Sequence, residues 1–284
     1  MKSLKSSRLL SFISVFVVYL LASVVGIISF NKLPFDLYIN LFLADTIATI
    51  IVFVFSLIFK NASVYDPYWS VQPLAILIGL SFSYKLNITS ILFIIVILFW
   101  GIRLTVNWAY TFNGLNHQDW RYTMLKEKTK VFYPFINFIG IHYVPTIIVY
   151  FVTLPAVYVL VNNLDLNIYA VIFLLVSVGA TFIEMIADIQ MQKYRKNRTT
   201  KFIRVGLWKY SRHPNYLGEI LMWWGIGLAC VVLDINHFYL LGGALLNALL
   251  FIFVSIPMAE KRQSRKEGFQ EYKKETRIIL PLKK

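Results

Sequence analysis

The segment from Leu207 to Gly225, LWKYSRHPNYLGEILMWWG, places basic and polar side chains directly before an apolar, tryptophan-rich stretch. Pro214 suits the first turn of a helix, where its missing N–H group is not needed. The backbone N–H groups of that turn and the positive end of the helix dipole would then lie beside Arg212 and His213. The segment therefore predicts a binding site for an anion at the beginning of a helix.

Polar side chains continue one turn deeper into the same predicted helix. Asn215 and Glu219 stand at i and i+4, with Tyr216 beside them, and side chains at this spacing share one helix face. An anion site above a polar, aromatic-lined face fits a nucleotide cofactor. The pattern also fits an ordinary helix start at a membrane surface. The cationic side chains would then extend their charged ends into water, and Trp223 and Trp224 would be packing residues.

A second polar stripe lies in GATFIEMIADIQMQKYRKNR, residues 179 to 198. At helical spacing, Glu184, Asp188, Gln192 and Arg195 fall within one stripe of about 80°. A carboxylate at membrane depth costs roughly 2.5–3.5 kcal/mol and normally faces a polar cavity or a partner. The stripe predicts a polar groove that opens toward the cytosol. A packing network inside the helix bundle is the alternative.

These side chains belong to a strongly apolar chain. Of its 284 residues, 58% are hydrophobic and 17% are aromatic, well above the share in soluble domains, which indicates a membrane-embedded protein. The first apolar run, residues 9 to 30, is long enough to span a bilayer and is expected to belong to the mature protein. The single cysteine, Cys230, allows neither an intrachain disulfide nor a cysteine-based metal cluster.

Eight membrane-spanning helices are predicted from apolar runs near the roughly 20 residues that a bilayer requires. They cover residues 9 to 30, 37 to 59, 67 to 84, 88 to 110, 135 to 161, 167 to 192, 215 to 233 and 237 to 258. The third is the weakest, because Pro67 and Pro73 lie within it. With eight spans, 26 of the 28 lysines and arginines fall on one side. This asymmetry predicts that both termini face the cytoplasm.

The net charge of +14 concentrates in three predicted cytoplasmic patches, residues 103 to 130, 193 to 212 and 260 to 284. Such patches determine topology and attract anionic lipid headgroups. Alternatively, they converge on a polyanionic cofactor. Nucleic acid is not expected as a partner, because the basic residues adjoin membrane helices and the sequence contains no recognisable nucleic-acid module.

Other sites receive little support from the pattern. No internal repeat or linker is visible, so residues 1 to 284 are expected to form one membrane domain. The sequence has neither a P-loop nor a G-x-G-x-x-G loop after a strand. Four scattered histidines, among them His117 and His142, do not have the spacing of metal ligands. Asp45 is an intramembrane carboxylate and therefore a functional candidate by default.

Two carboxy-terminal motifs are distinctive: GLWKYSRHPNYLGEILMWWGIGLA and SIPMAEKRQSRKEGFQEYKKETRIILP. Together they resemble the signature of the steroid 5-alpha-reductase family, and most closely its steroid-reductase-like branch that carries a domain of unknown function. The likeness covers roughly residues 40 to 284 and includes YDPYWSV, WGIRLTVNW, HQDWRY and EMIADIQ. The element R-H-P-x-Y alone is less specific, because membrane methyltransferases of the isoprenylcysteine and phospholipid types also have it.

The resemblance implies an NADPH-dependent reductase of an activated carbon–carbon double bond in a steroid, enoyl-acyl or polyprenol lipid. It implies an all-α, polytopic membrane bundle with seven core helices and one added amino-terminal helix. Expected partners are the lipid substrate and membrane lipids, with no obligate protein partner. In a eukaryotic cell, the endoplasmic reticulum is the expected membrane.

The resemblance also implies a cofactor site on the polar stripe, the segment around Pro214 and the basic tail. The candidate cofactor residues are Arg103, Arg121, Glu184, Asp188, Gln192, Arg195, Tyr210, Arg212, His213, Asn215, Tyr216, Glu219, Lys261, Arg265 and Tyr272. Asn215 and Glu219 would hold the nicotinamide end, Arg195 and Arg212 would lie near the phosphates, and the tail residues would close over the cofactor.

Two positions of this site depart from the family pattern. The family commonly has Asn and Arg where this chain has Glu184 and Gln192. These are positions at which phosphate contacts are expected. The choice between NADPH and NADH therefore stays open.

The candidate catalytic residues are Asp66, Trp100, Asp119 and Tyr122, and the candidate substrate-binding residues are Asp45 and Trp69. In the steroid enzymes a tyrosine and a glutamate polarise the substrate carbonyl. Trp100 stands at the tyrosine position, and an indole cannot deliver a proton as a phenol can. The acid could be Asp66, whose pKa an aromatic wall would raise, or Asp119 with Tyr122. Either carboxylate could instead cap a helix or pair with a lysine.

Two other classes of function remain open. A membrane methyltransferase that uses S-adenosylmethionine would share R-H-P-x-Y and a carboxy-terminal acidic element. Those families usually have adjacent glutamates where this chain has Ala259 and Glu260. A non-enzymatic lipid-binding or transport protein would explain the intramembrane carboxylates and would bind no nucleotide.

Overall fold

The computed structural model describes residues 5 to 198 and 200 to 281. Within those residues the chain forms helices joined by turns, with no β-strand. The predicted all-α, polytopic fold is confirmed. Lys2 of the amino-terminal basic cluster and residues 282 to 284 of the basic tail lie outside the described residues.

The first four α-helices are separated by short loops. They are α1 (Arg8–Lys32), α2 (Leu37–Ile58), α3 (Tyr68–Ser81) and α4 (Ile88–Thr111). Polar side chains cap the first two: the Ser7 hydroxyl accepts from the backbone N–H of Leu10, and the Asp36 carboxylate accepts from two N–H groups of α2. A 3-10 turn, Ala62–Tyr65, precedes α3.

The later helices follow one another with turns of 3-10 or π geometry between several of them. The 3-10 turns are Lys130–Phe132, Gly206–Lys209 and Ile235–Leu241, and the π turns are Asn137–Tyr143 and Phe251–Ser255. The helices are α5 (Trp120–Thr129), α6 (Tyr133–Ile136), α7 (Val144–Asn162), α8 (Ile168–Lys196), α9 (Pro214–Val231), α10 (Gly242–Leu250), α11 (Ile256–Gln263) and α12 (Phe269–Glu275).

Helical backbone occurs at all eight predicted spans. Six helical stretches of the described chain are long and apolar enough to cross a membrane. The helix α3 is not among them because it has only 14 residues and contains Pro73. The helix α9 has 18 residues, but Asn215 and Glu219 in its first turns make it less apolar than the six.

The chain divides into two compact units. The first comprises Met1–Leu80 and Gly101–Tyr150, and the second comprises Ser81–Trp100 and Phe151–Lys284. In the first unit, Val18 and Ala22 of α1 share one buried core with small and branched residues of α2 and with Tyr65. Small side chains on facing helices let the two helices approach closely.

In the second unit, α8 packs tightly against α9 because two glycines of α9 leave room for the backbone of α8. A Cβ on Gly218 would lie 2.7 Å from the carbonyl oxygen of Ala180. A Cβ on Gly225 would lie 2.1 Å from Ser177 Oγ and 2.8 Å from the carbonyl oxygen of Phe173. The polar stripe of α8 therefore lies beside the first turns of α9.

The basic tail folds back onto the segment that precedes α9. The backbone N–H groups of Arg212 and His213 donate to the carbonyls of Arg277 and Ile278 at 3.0 and 3.1 Å. Tyr272 is buried, and its hydroxyl donates to a carbonyl of the same segment. The tail is thus part of the second unit rather than a free extension.

Replacing Gly225 with alanine is expected to destabilise the protein by about 1–3 kcal/mol, because the new methyl group overpacks the contact with α8. Thermal unfolding in detergent measures the loss. Gly179→Ala, on α8 with no atom within 4 Å of its added Cβ, is the matched control and should not lower the melting temperature. Equal melting temperatures for both variants would show that α8 and α9 do not pack through Gly225.

Candidate functional site

Arg212 and Glu260 form a buried ion pair at the beginning of α9. Nε and Nη2 of Arg212 donate to the two carboxylate oxygens at 3.0 and 3.1 Å. The two side chains are only 4% and 11% exposed. Two parallel hydrogen bonds from a guanidinium to one carboxylate are a strong and directional arrangement. The pair therefore ties the start of α9 to α11.

Two further basic side chains contact the same carboxylate. Nε2 of His213 donates to Glu260 at 3.0 Å, and Nζ of Lys273 lies 3.5 Å from it. Nη1 of Arg212 donates to the carbonyl of Thr276 in the tail. At this predicted anion site, a carboxylate of the protein itself binds the basic side chains. The contact between Arg212 and a cofactor phosphate stays a prediction.

Glu219, one helical turn into α9 from Asn215, accepts two indole hydrogen bonds. Nε1 of Trp100 donates to Oε2 at 2.8 Å, and Nε1 of Trp223 donates to Oε1 at 2.8 Å. The indole rings meet edge to face, with centroids 4.8 Å apart. All three side chains are buried. Trp100, predicted to act on substrate, thus holds the carboxylate of a predicted cofactor residue.

Asn215 lies in the first turn of α9 with an unused hydrogen-bond acceptor. Its Oδ1 atom is buried and accepts no hydrogen bond from the part of the chain that the structure describes. Next to it, Tyr216 stacks on the imidazole of His213, with ring centroids 5.2 Å apart. A buried carbonyl oxygen without a donor costs about 1–3 kcal/mol, which a ligand N–H group could recover.

The polar stripe of α8 changes from buried to exposed along the helix. Glu184 is buried, Asp188 and Gln192 are half-buried, and Arg195 is exposed. The Glu184 Cβ would be 2.7 Å from a Cβ on Gly218, so the stripe begins against α9. This gradient agrees with a polar face that opens at the Arg195 end of the helix.

Four cations come together where α8 ends and the tail begins. Burial lowers the pKa of Lys266, and the positive charges of Arg262, Arg198 and Arg195 lower it further. Like charges that depress the pKa of a lysine would be stabilised by a bound anion. Of the other predicted residues, Tyr210, Lys261 and Arg265 are exposed and Tyr272 is buried.

The first unit brings together four of the predicted site residues. The hydroxyl of Tyr122 donates to Asp66 Oδ1 at 2.7 Å. Asp119 caps α5 by accepting from the backbone N–H of Arg121 at 2.9 Å, and it also accepts from Nε of Arg121 at 2.8 Å. Asp119 therefore has the helix-cap role that was its alternative, whereas Asp66 is bonded to a phenol.

The pKa of Asp66 is raised to about 6 by burial, although the nearby charge of Arg121 opposes that rise. A carboxyl group with such a pKa is partly protonated near neutral pH and can act as a general acid. The proton-donor role predicted for Asp66 is chemically reasonable and stays a prediction.

The remaining predicted residues lie elsewhere in the first unit. Asp45 accepts hydrogen bonds from Tyr68 and Gln72. Trp69 is half-buried against the core around Tyr65, and Arg103 is buried. Within the described residues, no three His, Cys, Asp or Glu side chains come together as metal ligands.

Most of the chain matches the model of a known protein family. Residues 52–276 match the model of a family described as a protein of unknown function, DUF1295. The chain belongs to this family. The matched range includes parts of both units and every candidate residue except Asp45. Membership of DUF1295 agrees with the domain of unknown function that the motifs indicated, whereas the steroid-reductase-like branch and a reductase activity stay predictions.

One relative is the uncharacterized protein C594.04c of Schizosaccharomyces pombe, which is 26% identical to this chain. The match covers 69% of this chain and 63% of the relative. This DUF1295 chain thus matches less than two thirds of the length of that protein. No solved structure matches this chain.

Sequence reasoning missed two residues of the site, Glu260 and Trp223. The sequence pattern indicates Glu260 only as part of an acidic element, since nothing local pairs it with Arg212, 48 positions away. It indicates Trp223 only as a packing residue. Its i+4 spacing from Glu219 was the available signal, because side chains four apart meet on a helix.

Changing Glu260 to glutamine is expected to destabilise this DUF1295 protein by about 3–5 kcal/mol, because Arg212 would remain buried without its counter-charge. Thermal unfolding and limited proteolysis of the tail should both detect the loss. Glu267→Gln removes an exposed carboxylate that pairs with Lys201 and should change neither measurement. A fully stable Glu260→Gln protein would contradict the importance of the pair.

The raised pKa of Asp66 predicts a pH effect on stability. The folded protein binds the proton of the Asp66 carboxyl group more tightly than the unfolded chain does, so protonated Asp66 stabilises the folded state. This stabilisation is complete below about pH 4 and is lost as the pH rises through about 6. Asp66→Asn keeps an acceptor for Tyr122 and should flatten the pH dependence of the melting temperature in that window. Asp36→Asn is the control for loss of a carboxylate. An unchanged slope in Asp66→Asn would refute the assignment.

Proposed function

We propose that this protein is a membrane-embedded, NADPH-dependent reductase of an activated carbon–carbon double bond in a lipid. The observation that carries the proposal is the buried Oδ1 of Asn215, which lacks a donor among the described residues. It lies in the segment NYLGE, which the family resemblance assigns to the nicotinamide end of the cofactor. A carboxamide N–H group is the kind of donor that this oxygen needs.

The residues around Asn215 fit a planar, uncharged ring better than a charged group. Tyr216 and His213 form a stacked aromatic pair beside it. Glu219 accepts two indole hydrogen bonds, so its carboxylate has a fixed position one helical turn further along α9. Bound NADPH would supply the hydride for the double bond, while Asn215 would orient the ring.

The phosphates of the cofactor need positive charge at their binding site. Arg212 binds Glu260, so it is a poor candidate for a second anion. Arg195, Arg198, Arg262 and Lys266 form a cluster whose mutual repulsion an anion would relieve. We assign the phosphate-binding role to this cluster. Its member Arg195 also belongs to the polar stripe of α8, where a phosphate contact is predicted.

A methyltransferase that uses S-adenosylmethionine is the second candidate. The contact that favours it joins the R-H-P-x-Y element, through Arg212 and His213, to the carboxy-terminal Glu260. An acidic element together with R-H-P-x-Y is what this chain shares with membrane methyltransferases. Cofactor binding separates the two candidates, because S-adenosylmethionine carries no phosphate.

NADPH is expected to raise the melting temperature of the detergent-purified protein, because a ligand at 100 times its dissociation constant adds about 2.7 kcal/mol. Asn215→Ala and Asp188→Ala should remove most of that rise. Asn162→Ala, at an exposed site at the end of α7, should keep it. NADH and S-adenosylmethionine are measured in parallel.

Each outcome of this experiment is informative. A rise with NADPH that the two site variants lose supports the reductase and justifies a screen of unsaturated lipids. A rise with S-adenosylmethionine alone would make the protein a methyltransferase. No rise with any of the three would contradict both enzymes and favour a lipid-binding or transport role.

A further inference from the structure

The first unit contains a buried polar cluster that the proposed function does not use. Its members come from α2, α3, the turn before α3, and the π turn that leads into α7. The cluster consists of Asp45, Thr49, Tyr65, Tyr68, Gln72, Asn137, His142 and Thr146. None of these residues is more than 6% exposed.

Hydrogen bonds and ring contacts join the cluster. Asp45 accepts from the Tyr68 hydroxyl at 2.7 Å and from Nε2 of Gln72 at 2.8 Å. The rings of Tyr65 and Tyr68 are stacked with centroids 5.0 Å apart, and the Tyr65 ring lies 4.7 Å from that of His142. The cluster is therefore continuous from the Asp45 carboxylate to the His142 imidazole.

Three buried atoms of the cluster have no hydrogen-bond partner within the described residues: Gln72 Oε1, Asn137 Oδ1 and His142 Nε2. The two amide oxygens can only accept. His142 Nδ1 lies 2.9 Å from the carbonyl oxygen of Asn137. Since a carbonyl only accepts, Nδ1 carries the proton, and Nε2 of the neutral ring must be an acceptor as well.

The cluster thus has an excess of acceptors, because all three unused atoms are acceptors. A buried polar atom without a partner costs about 1–3 kcal/mol. A ligand that binds here must bring hydrogen-bond donors. A hydroxyl group donates and can also accept, whereas a ketone can only accept and would leave the three atoms unpaired.

Aromatic rings in and beside the cluster favour a lipid rather than a hydrated solute. The rings of Tyr65 and Tyr68 are stacked, and Phe53 packs against His142 with centroids 5.4 Å apart. Asp45 and Phe53 lie in α2, which is long and apolar enough to span a membrane. A molecule that reaches this cluster from a bilayer has an apolar body and a small polar head.

We propose that the cluster binds the hydroxyl head group of an uncharged lipid at Gln72 and discriminates against the corresponding ketone. Gln72 Oε1 accepts the single O–H hydrogen of the head group, and Asp45 fixes the Gln72 amide so that its oxygen stays available. The inference concerns binding alone and does not depend on the reductase activity.

The test uses the full chain in lipid nanodiscs and two matched pairs of probes. Cholestanol is compared with cholestanone, and hexadecanol with hexadecyl methyl ether, by thermal stabilisation at increasing mole fraction. The hydroxyl member of at least one pair should bind about tenfold more tightly, as expected for a donor that meets buried acceptors. Hexadecylamine is measured as a cationic donor.

Two variants test the assigned acceptor. Gln72→Met should reduce the hydroxyl preference toward onefold while leaving the affinity for the ketone or ether unchanged, whereas His142→Phe removes an acceptor that the head group does not use and should keep the preference. Thr105→Val is the matched control, because it removes a half-buried hydroxyl of the same unit that is bonded to Ser70 at 2.8 Å. It should keep the preference. If His142→Phe does not fold, Gln72→Met alone decides.

Several results would overturn the proposal. Equal affinity within both pairs would mean that the unused acceptors bind only water. A preference for hexadecylamine over hexadecanol would make the ligand a cation. A hydroxyl preference that survives in Gln72→Met would place the head group elsewhere. NADPH binding, measured on the same samples, is independent of these results and separates failure here from failure of the proposed reductase.

Discussion

Hydrocarbon offers a polar side chain no hydrogen-bond partner, so a membrane protein must provide such partners from its own helices. Glu219 in α9 receives two indole N–H groups, one from its own helix and one from Trp100 in α4. Asp45 in α2 receives a phenol and an amide from α3. Each of these two carboxylates therefore joins two helices, and polar pairing at these places is also a form of helix packing.

The same constraint gives meaning to the polar atoms that lack partners. Asn215 Oδ1 in the second unit and Gln72 Oε1 and His142 Nε2 in the first are buried acceptors without donors among the described residues. Gln72 itself donates to the Asp45 carboxylate, both of whose oxygens have donors. The cost of leaving such acceptors unpaired is comparable with the net value of a hydrogen bond. Their positions are thus where a donor-bearing ligand gains most from binding.

Local sequence patterns predicted most of the fold, because apolar length and helical spacing depend on neighbouring residues. The stripe on α8 lies on one face as its spacing required, with Glu184 buried and Arg195 exposed. Pro214 begins α9 as expected for its missing N–H group. The site was less predictable where partners are distant. Trp100 and Glu219 are 119 positions apart, and no spacing rule connects them.

Distant pairing also changes how the charge of the second unit must be interpreted. Counting cations in the sequence makes Arg212 the natural phosphate ligand, but its bond to Glu260 makes it part of the framework. Arg195, Arg198 and Arg262 are exposed, so salt screens their charges. Under the proposed function, affinity for a dinucleotide would come from these screened charges, and its orientation from the buried amide of Asn215. Binding strength and ring placement would then be set by different residues, because only the buried end lies in a low dielectric where one hydrogen bond can discriminate between ligands.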